Sequence, residues 1–446
     1  MTQVMENSPM EKNPALDAQR IDDSFETIWQ ELTWRGLVHV STDEHELEKT
    51  LAQGPVTYYC GFDPTAASLH LGHLVQLLTM RRLQLAGHRP LALVGGSTGL
   101  IGDPRQSGER VLNTPETVSG WVDSLKHQIR HYLDFDEGEN AATMVNNLDW
   151  TQGMSAIEFL RDIGKHFRVG TMVKKDIVAK RLHSEEGISY TEFSYQILQG
   201  LDFLQLYREH GCRLQTGGSD QWGNLTAGTE LVRRVEDAQV HALGTPLITN
   251  ADGSKFGKSE GNAIWLDSEL CSPYTFYQFW LNTADADVID RLKVFTFLTR
   301  AEIEELATSV AERPQARTAQ KRLAWEVTTL VHGEDETRRV IDASEALFGK
   351  GDVSQIDADT LRGAAEQLPH AEVDAEAPLV DLFVAAGLVS SKSEARRTVK
   401  DGGAYANNVK VDDGEVPAAE GLWLHGEHLV LRRGKKNLAM VTRRRG

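Results

Sequence analysis

The chain has 446 residues, 40% of them hydrophobic and 25% charged, which is enough for two or three domains with apolar cores. Its formal net charge of −18 argues against nucleic-acid binding by the whole molecule, and no apolar run is long enough to span a bilayer. The polar N-terminus lacks the basic and apolar segments of a secretory signal, so residues 1–23 are predicted to be a flexible tail. Cys60, Cys212 and Cys271 show neither CxxC nor metal-binding spacing, which predicts a cytoplasmic protein without a metal site.

The first predicted elements are a helical lead-in over residues 24–53 and a strand–loop–helix unit. The unit begins with a buried strand at 56–60 and ends with a helix over 69–86. Turn residues, among them Asp63-Pro64, fill the loop between the two, and Ser68 is the predicted N-cap of the helix.

His70 and His73 are predicted to lie on one face of the first turn of this helix. Helix N-termini attract phosphate because their first amides lack intrahelical partners, and two imidazoles there can donate hydrogen bonds to a transferring phosphate. Gly72, between the two histidines, would let a flat ring approach the backbone. A pair of surface histidines at a helix start is the alternative interpretation of this short pattern.

Further strands are predicted at 90–95 and 143–147, with a glycine-rich loop that carries Asp103 and a helix over 115–131 between them. Strands that alternate with helices predict a parallel sheet, and such sheets bind ligands in a crevice at the carboxyl ends of their strands. The sequence therefore predicts an α/β domain over residues 24–250.

The stretch from Thr191 to Glu209 is predicted to be a helix with one unusual polar stripe. Tyr195, Gln199 and Asp202 are spaced i, i+4 and i+7, beside an apolar face. A solvated stripe is typically Lys and Glu, whereas a stripe of Tyr, Gln and Asp on an apolar helix is paired internally or faces a ligand. The pattern favours the ligand.

The segment CRLQTGGSDQWGN, residues 212–224, is predicted to be a strand, a Gly217-Gly218 turn and the start of a helix. Gln215, Asp220 and Gln221 cluster at the carboxyl end of the strand. Asp220 is placed to accept hydrogen bonds from ribose hydroxyls, although Ser-Asp is also good N-cap chemistry.

After a strand predicted at 243–249, residues 251–272 are predicted to contain a mobile lysine loop. Lys255 and Lys258 lie three residues apart among glycine, serine and asparagine. Opposite a phosphate site they would neutralise the charge that develops on a departing pyrophosphate. Solvated surface charge is the other interpretation.

Two regions are predicted to contact partners. The helical block at about 150–190 is inserted into the alternating pattern and is a candidate dimer surface. Residues 432–446 contain seven Lys or Arg and no acidic residue, which is consistent with a localised RNA contact or with a solvated tail.

HLGH at 70–73 and KFGKS at 255–259 resemble the two signatures of class I aminoacyl-tRNA synthetases, in the order that this family has. The motifs YCGFDPT (59–65), GLIGDP (99–104), FSYQILQGLDF (193–203) and GGSDQWGN (217–224) resemble the bacterial tyrosyl-tRNA synthetases more specifically. The similarity extends from about Trp34 to the C-terminus. Departing from the bacterial pattern, the segment after GDP lacks a lysine; Arg110 matches the family's arginine, and Arg105 is a candidate replacement for the missing phosphate contact.

The resemblance implies a Rossmann-like catalytic domain, an α-helical domain and a small α+β S4-like RNA-binding domain. In this chain, the helical domain that faces the anticodon would span 273–350, a linker 351–377 and the S4-like domain 378–446.

The resemblance also implies a ligase that activates L-tyrosine with ATP and transfers the tyrosyl group to tRNA(Tyr). It implies Mg²⁺ with ATP, no bound organic cofactor and a homodimer. The residues matching the family's phosphate-binding and lysine-loop positions are Thr65, His70, His73, Lys255, Lys258 and Ser259. The remaining ATP-binding matches are Cys60, Gly61, Asp63, Gly72, Gly218 and Asp220. Those for tyrosine are Tyr59 and Asp202 at the phenolic hydroxyl, Tyr195, Gln199 and Asp103 at the ammonium group, and Gln221 near the reacting carboxylate.

Tyr59 and Asp202 carry the predicted specificity, because a buried site built for a hydroxyl leaves its polar groups unpaired when phenylalanine binds. Three alternatives stay open at this point: a tryptophanyl-tRNA synthetase, a non-catalytic RNA-binding protein on the same fold, and a nucleotidyltransferase acting on a small metabolite. The Tyr59–Asp202 pair, the two intact signatures and the basic C-terminal module argue against them in turn.

Overall fold

The computed structural model describes residues 13–105, 108, 111–136, 138–251, 253, 256–259, 262–434 and 437–444, with residues 258, 259, 262, 349 and 350 described by their backbone alone. Two compact units divide the chain: the first comprises the described residues of Met1–Leu266 together with Ala284–Ala319, and the second comprises Asp267–Thr283 and the described residues of Gln320–Gly446. No helix in the described ranges combines the length and apolarity needed to cross a membrane. Lys255 and Arg110, two of the residues predicted to be functional, lie outside the described residues.

The strands in chain order are β1 Val40–Ser41, β2 Thr57–Phe62, β3 Arg89–Val94, β4 Thr143–Asn146, β5 Leu214–Gly218, β6 His241–Thr245, β7 Lys258–Ser259, β8 Asn262–Ala263, β9 His370–Val373, β10 Ala404–Ala406, β11 Val409–Lys410, β12 His428–Arg433 and β13 Asn437–Arg443. The α-helices are α1 Ala15–Ala18, α2 Ile28–Trp34, α3 Glu44–Ala52, α4 Leu71–Leu85, α5 Thr98–Ile101, α6 Pro115–Arg130, α7 Leu148–Thr151, α8 Ala156–Glu158, α9 Val169–Met172, α10 Asp176–Leu182, α11 Tyr190–His210, α12 Trp222–Glu236, α13 Pro273–Leu281, α14 Val288–Phe295, α15 Arg300–Glu312, α16 Thr318–His332, α17 Glu334–Glu345, α18 Ala358–Gln367, α19 Leu379–Ala385 and α20 Lys392–Lys400.

The first unit contains a six-stranded sheet in the order β1-β6-β5-β2-β3-β4. Strands β6, β5, β2, β3 and β4 are parallel to their neighbours, and β1 pairs antiparallel with β6. This confirms the predicted α/β class with a parallel sheet. From β2 the chain continues to β3 and β4 on one side of the sheet, and it then returns to β5 on the other side of β2. The strand order therefore reverses at β2, and a crevice opens at its carboxyl end.

The core of this unit lies between the sheet and α11. Leu91 and Leu93 of β3 pack with Leu201 and Leu204 of α11, and all four side chains are buried. Strands covered on both faces need near-continuous apolar runs, which the sequence Pro90–Val94 supplies. The packing holds the face of α11 that carries Tyr195 and Asp202 against the carboxyl ends of β2 and β3.

Several predicted boundaries in the first unit were wrong. Residues 13–23 are packed rather than a free tail, because buried Arg81 donates hydrogen bonds to the Gln19 side chain at 2.8 Å and to the Leu16 carbonyl at 3.1 Å. The predicted lead-in helix of 24–53 is divided into α2 and α3 by β1.

The predicted Gly217-Gly218 turn is part of β5 instead, since both residues pair in register with β6. A side chain at 217 would lie 3.1 Å from Leu225, so glycine is needed here for close packing rather than for a turn.

The second unit contains the sheet β11-β10-β12-β13-β9, which is antiparallel except for the β13–β9 pair. Its core joins both helices to this sheet: Leu382 and Phe383 of α19 and Ala395 of α20 pack with Leu429 and Val441. The predicted pattern of two helices followed by a turn into a strand is present over residues 379–406.

The segment 351–377 was predicted to be a linker, and the structure corrects this. Asp357 accepts from the backbone amides of Asp359 and Thr360 and so begins α18, on which Leu361 and Ala364 are buried. Strand β9 then adds an edge strand to the C-terminal sheet. The sequence ADTLRGAAEQ was not predicted to be a helix, because its glycine and acidic residues are typical of a linker.

The predicted helical domain 273–350 is divided between the units. Helices α14 and α15 belong to the first unit, where buried Arg82 donates to the carbonyl of Thr296 at 2.6 Å. Arg35 also donates to the Leu298 carbonyl at 2.9 Å. These guanidinium groups occupy carbonyls that the end of α14 leaves without helical partners.

Candidate active site

Helix α4 begins at the crevice with two histidines as its capping residues. His70 is the N-cap: its Nδ1 accepts from the backbone amide of Gly72 at 3.0 Å, while Nδ1 of His73 accepts from the His70 amide at 3.2 Å. The prediction that Ser68 is the cap was wrong, because its hydroxyl donates to the Leu69 carbonyl at 2.8 Å. The imidazoles stack with their centroids 4.0 Å apart.

These contacts determine the tautomer of each ring. A backbone amide can only donate, so each Nδ1 is an acceptor and each neutral imidazole carries its proton on Nε2. Burial, and then the neighbouring His70, lower the pKa of His73 well below its ordinary value. His73 is therefore a neutral hydrogen-bond donor at neutral pH.

Gly72 is required by its neighbour's ring. A Cβ at this position would lie 2.9 Å from Cε1 of His70. The flat ring that approaches the backbone here is therefore the imidazole of His70.

The carboxyl end of β2 supplies Tyr59, Cys60 and Gly61, followed by Asp63 and Thr65. The Tyr59 side chain is buried against Phe203, yet its hydroxyl has no hydrogen-bond partner among the described residues. Burial, and then Asp202, raise the pKa of Tyr59, so the hydroxyl stays protonated. Burial raises the pKa of the Cys60 thiol to about 12, and Gly61 and Thr65 are exposed.

Asp202 is a buried carboxylate on α11 whose two oxygens accept from fixed donors. Asn147 Nδ2 donates to Oδ2 and Trp150 Nε1 to Oδ1, each at 3.0 Å. Burial raises the pKa of Asp202 to about 7, an effect that these two hydrogen bonds oppose and nearby Asp63 reinforces.

Asn147 and Trp150 were missed by the sequence analysis. The sequence NNLDW directly after β4 was the signal, because residues that follow a parallel strand lie at the ligand edge of the sheet.

Tyr195 lies about two turns from Asp202 on α11. Its hydroxyl donates to Asp63 Oδ2 at 2.6 Å. Burial, Asp63 and Asp103 raise its pKa well above the ordinary value, so it remains a donor. Thr98 donates to the other Asp63 oxygen at 2.6 Å. Gln199, also on α11, is partly buried.

Asp103 lies in a group of amides after β3. Gln221 Nε2 donates to one carboxylate oxygen at 3.2 Å and Asn224 Nδ2 to the other at 3.3 Å. Burial raises the pKa of Asp103, whereas these amides and Lys175 lower it. Lys175 in turn donates to Asn224 Oδ1 at 2.9 Å, and burial lowers its pKa to about 8.

Asp220 follows β5 and is exposed. It caps neither the short turn Ser219–Gln221 nor α12, which removes the N-cap interpretation. A Cβ at residue 218 would lie 2.5 Å from Asp220 Oδ1, so glycine is needed at that position.

The described part of the lysine segment is joined to the start of α4. The Leu71 amide donates to the Ile264 carbonyl at 3.2 Å, and Leu266 donates to Leu69 at 2.9 Å. Lys258 and Ser259 form a short antiparallel pair with residues 262–263, but their side chains, like all of Lys255, are outside what is described. The backbone thus brings the described residues 256–259 next to HLGH.

The arrangement provides neutral donors at one end of the crevice and carboxylates at the other. Among the described residues, no group of three or more His, Cys, Asp or Glu side chains is arranged to hold a metal ion. A cavity of about 320 Å³ borders Asp103, Lys175, Asp220 and Asn224. Such a site suits a ligand with a cationic group, a hydrogen-bonding hydroxyl and a phosphate.

Two protein families match the chain. The family described as "tRNA synthetases class I (W and Y)" matches residues 51–349, and "Tyrosine--tRNA ligase SYY-like C-terminal domain" matches residues 360–441.

Similar proteins from other organisms agree with these matches. A tyrosine--tRNA ligase of Leifsonia xyli is 64% identical over 438 residues, which is 98% of this chain and 99% of the relative. That of Streptomyces coelicolor is 66% identical over 416 residues, or 93% of this chain and 98% of the relative. A truncated mitochondrial tyrosyl-tRNA synthetase of Aspergillus nidulans superposes with a TM-score of 0.65 at 30% identity, covering 71% of this chain and 93% of its own.

Proposed function

The chain belongs to the class I tRNA synthetases and, among them, to the tyrosine--tRNA ligases, and we propose that the crevice at the carboxyl end of β2 is where it activates tyrosine. In the first step a tyrosine carboxylate oxygen bonds to the α-phosphorus of ATP, and the bond to the bridging oxygen breaks to release pyrophosphate. In the second step a hydroxyl of the terminal tRNA ribose bonds to the acyl carbon and AMP leaves. Tyrosine brings its own nucleophile, so the protein contributes positioning and charge stabilisation.

The phenolic hydroxyl of tyrosine would bind between Tyr59 and Asp202. The observation that carries this assignment is the buried Tyr59 hydroxyl, which has no partner in the part of the chain that the structure describes, near a carboxylate whose donors are already fixed. A buried polar group without a partner is costly and is expected where a ligand completes the hydrogen bonds. Asp202 would accept a hydrogen bond from the phenolic hydroxyl of the substrate.

The ammonium group would bind to Tyr195, Gln199 and Asp103. Tyr195 donates its own proton to Asp63, which leaves a lone pair that can accept from an ammonium N–H. Burial raises the Asp103 pKa, and a bound cation would favour its ionised form. Gln221, which donates to Asp103, would lie near the reacting carboxylate.

ATP would bind across the start of α4. The Nε2 protons of His70 and His73, the helix N-terminus and Thr65 suit phosphate oxygens. Lys255, Lys258 and Ser259 would contact the same phosphates. The remaining contacts are assigned to Cys60, Gly61, Asp63, Gly72, Gly218 and Asp220, of which Asp220 would accept from ribose hydroxyls.

Magnesium would enter with ATP, held mainly by phosphate oxygens and water. The donor set of the crevice fits this arrangement, because its carboxylates are bound to amides and hydroxyls of the protein. The protein residues named above would then orient the nucleotide.

We further propose that the C-terminal domain contacts tRNA(Tyr). Helix α20 exposes Lys392, Arg396, Arg397 and Lys400, and cationic side chains bind the phosphate backbone. The family match over residues 360–441 supports this assignment.

A homodimer and a cytoplasmic location complete the proposal. The inserted block exposes Ile157, Leu160 and Val169, apolar side chains that a partner copy would cover. The described cysteines, all buried thiols, suit a reducing compartment. Sedimentation of the wild-type protein and of Ile157→Asp would test the dimer: the variant should shift toward monomer, and an unchanged molecular mass would contradict this surface.

The test of the activity is amino-acid-dependent ATP–pyrophosphate exchange without tRNA, across all twenty amino acids. Exchange with tyrosine alone is expected. Exchange with tryptophan would reassign the specificity, and folded protein that binds RNA but exchanges with no amino acid would contradict catalysis.

A further inference from the structure

We propose that Thr98 is a positioning residue that ties two carboxylates of the crevice, Asp63 and Asp202, into one hydrogen-bonded unit. This inference rests on the proposed function of the crevice. It concerns a residue that lies behind the pocket lining, at the start of α5.

Four hydrogen bonds form the connection. Thr98 Oγ1 donates to Asp63 Oδ1 at 2.6 Å and accepts from Asn147 Nδ2 at 3.0 Å. The same Nδ2 donates to Asp202 Oδ2 at 3.0 Å. The backbone amide of Ser97 donates to Asn147 Oδ1 at 2.8 Å.

The Ser97 amide determines the direction of the whole chain of bonds. A backbone N–H can only donate, so the atom of Asn147 that faces it must be the carbonyl oxygen and the amide cannot be flipped. Asn147 Nδ2 therefore faces Thr98 and Asp202 and uses both of its protons. The Thr98 hydroxyl must accept from Asn147, which leaves its single proton for Asp63.

Each carboxylate is then fixed by two donors on different oxygens. Asp63 accepts from Thr98 and from Tyr195, and Asp202 accepts from Asn147 and from Trp150. Thr98, Asn147 and Asp202 are at most 2% exposed, so water has little access to replace these donors. Without the Thr98 hydroxyl, Asp63 and Asn147 would each lose one hydrogen bond and could rotate. Both ends of the pocket would therefore be affected at once.

The backbone is shaped around this connection. A Cβ on residue 95 would lie 2.1 Å from Asp63 Oδ1 and 2.3 Å from Thr98 Oγ1. Glycine at 95 thus leaves room for the hydrogen bond between them. The members come from the carboxyl ends of β2, β3 and β4 and from α11, so the unit ties three neighbouring strands to the helix that carries Asp202.

Tyrosine contacts both ends of this unit: Asp202 at its phenol, and Tyr195, held by Asp63, at its ammonium group. ATP phosphates contact neither Thr98 nor Asn147 in the proposed arrangement. ATP would meet this unit only at Asp63, which Tyr195 still holds when the Thr98 hydroxyl is lost. Loss of that hydroxyl should therefore weaken tyrosine binding more than ATP binding.

The experiment measures dissociation constants for tyrosine and for ATP, and tyrosine and phenylalanine exchange rates, in Thr98→Val, Thr98→Ala and Thr98→Ser. Val and Ala should raise the tyrosine dissociation constant about tenfold and lower the preference for tyrosine over phenylalanine, with a smaller change in ATP binding of about threefold or less. Ser keeps the hydroxyl and should restore tyrosine binding to within about twofold of wild type.

Thr79→Val is the matched control, since Thr79 is buried in the same unit and donates only to the helical carbonyl of Val75 in the described contacts. It should change thermal stability without changing tyrosine affinity. Wild-type tyrosine affinity in folded Thr98→Val, an equal loss in Thr79→Val, or an equal loss in Thr98→Ser would overturn the proposal. The proposal would also be overturned if the Val and Ala variants failed to fold while the Ser variant folded normally, because the hydroxyl would then be needed for the fold alone.

Failure of this inference is separable from failure of the proposed function. Wild-type protein without tyrosine-dependent exchange would contradict the function itself. An active wild type whose Thr98→Val variant binds tyrosine normally would contradict only the role of Thr98.

Discussion

The two ends of the crevice, to which we assign the amino acid and the phosphates, are built in different ways. At the amino-acid end, Asp202 and Tyr59 are buried and the hydrogen bonds of Asp202 are committed before any ligand arrives. At the phosphate end, His70 and His73 are partly exposed and present Nε2 donors from the first turn of a helix.

The difference follows from what each end must do. Selecting tyrosine over phenylalanine requires a desolvated acceptor that no water can satisfy in place of the phenol. Stabilising charge that develops during phosphoryl transfer requires donors and cations that match the transition state, and a helix N-terminus supplies part of this without a buried charge. The two ends should therefore respond differently to mutation and to pH.

The largest effect is expected from the lysines at the phosphate end. Lys255→Ala and Lys258→Ala should each slow adenylate formation roughly 10²- to 10³-fold, because each removes a cation facing the departing pyrophosphate. Tyrosine affinity should stay within about twofold. Rapid-quench measurement of adenylate formation is the assay, with exposed Lys49→Ala as the control. Equal losses of rate and tyrosine affinity would show that the lysines have a structural role.

The next largest effect is expected from Asp202→Asn at the amino-acid end. The asparagine amide would point N–H groups at the donors of Asn147 or Trp150, so tyrosine should bind roughly 10²-fold more weakly. The ATP dissociation constant should not change. Equilibrium dialysis tests this, with exposed Asp149→Asn as the control. A variant that binds tyrosine normally would remove Asp202 from phenol recognition.

Lowering the pH should affect only the amino-acid end through Asp202. Burial raises the pKa of Asp202 to about 7. In the proposed pocket, ionised Asp202 would accept a hydrogen bond from the phenolic hydroxyl, whereas a protonated carboxyl oxygen would not accept it. Tyrosine affinity should thus be highest well above pH 7 and fall as the pH decreases through 7, with a slope that approaches about tenfold per pH unit. Titration between pH 5.5 and 8.5 tests this. A flat profile, or the same profile in Asp202→Asn, would contradict it.

The smallest effect is expected from Tyr59→Phe. Loss of one neutral hydroxyl should weaken tyrosine binding about five- to tenfold and leave phenylalanine binding unchanged, so discrimination falls. Tyr58→Phe is a close control, because this neighbouring buried hydroxyl donates to the Met80 carbonyl and not to the pocket. Reduced affinity in both variants would indicate a general packing effect.

The sequence predicted the parallel sheet, the strand–loop–helix unit at the histidines and the polar stripe of α11, because each depends on local periodicity. It did not predict that residues 13–23 and 351–377 are ordered. Their apolar patterns are too short to indicate a helix or strand by themselves, and these segments are ordered because they pack on other parts of the fold. The helix was predicted to begin two residues too early, at Leu69 instead of Leu71, because imidazole is an uncommon capping group.

The connection through Thr98 and Asn147 could not be read from the sequence. Its members are separated by 35, 49 and 55 positions along the chain, and the direction of each hydrogen bond depends on the orientation of one amide. The sequence identified the end residues Asp63 and Asp202 by resemblance, whereas the residues joining them required the sheet order.

The most direct test of the contrast between the two ends is stopped-flow measurement of adenylate formation with varied tyrosine and ATP, for wild type, Tyr59→Phe and Lys258→Ala. The account predicts that Tyr59→Phe changes the tyrosine dissociation constant at a nearly constant maximal rate. It predicts the reverse for Lys258→Ala. A change of both quantities in the same proportion in both variants would show that the two ends are not separate, and would contradict the account.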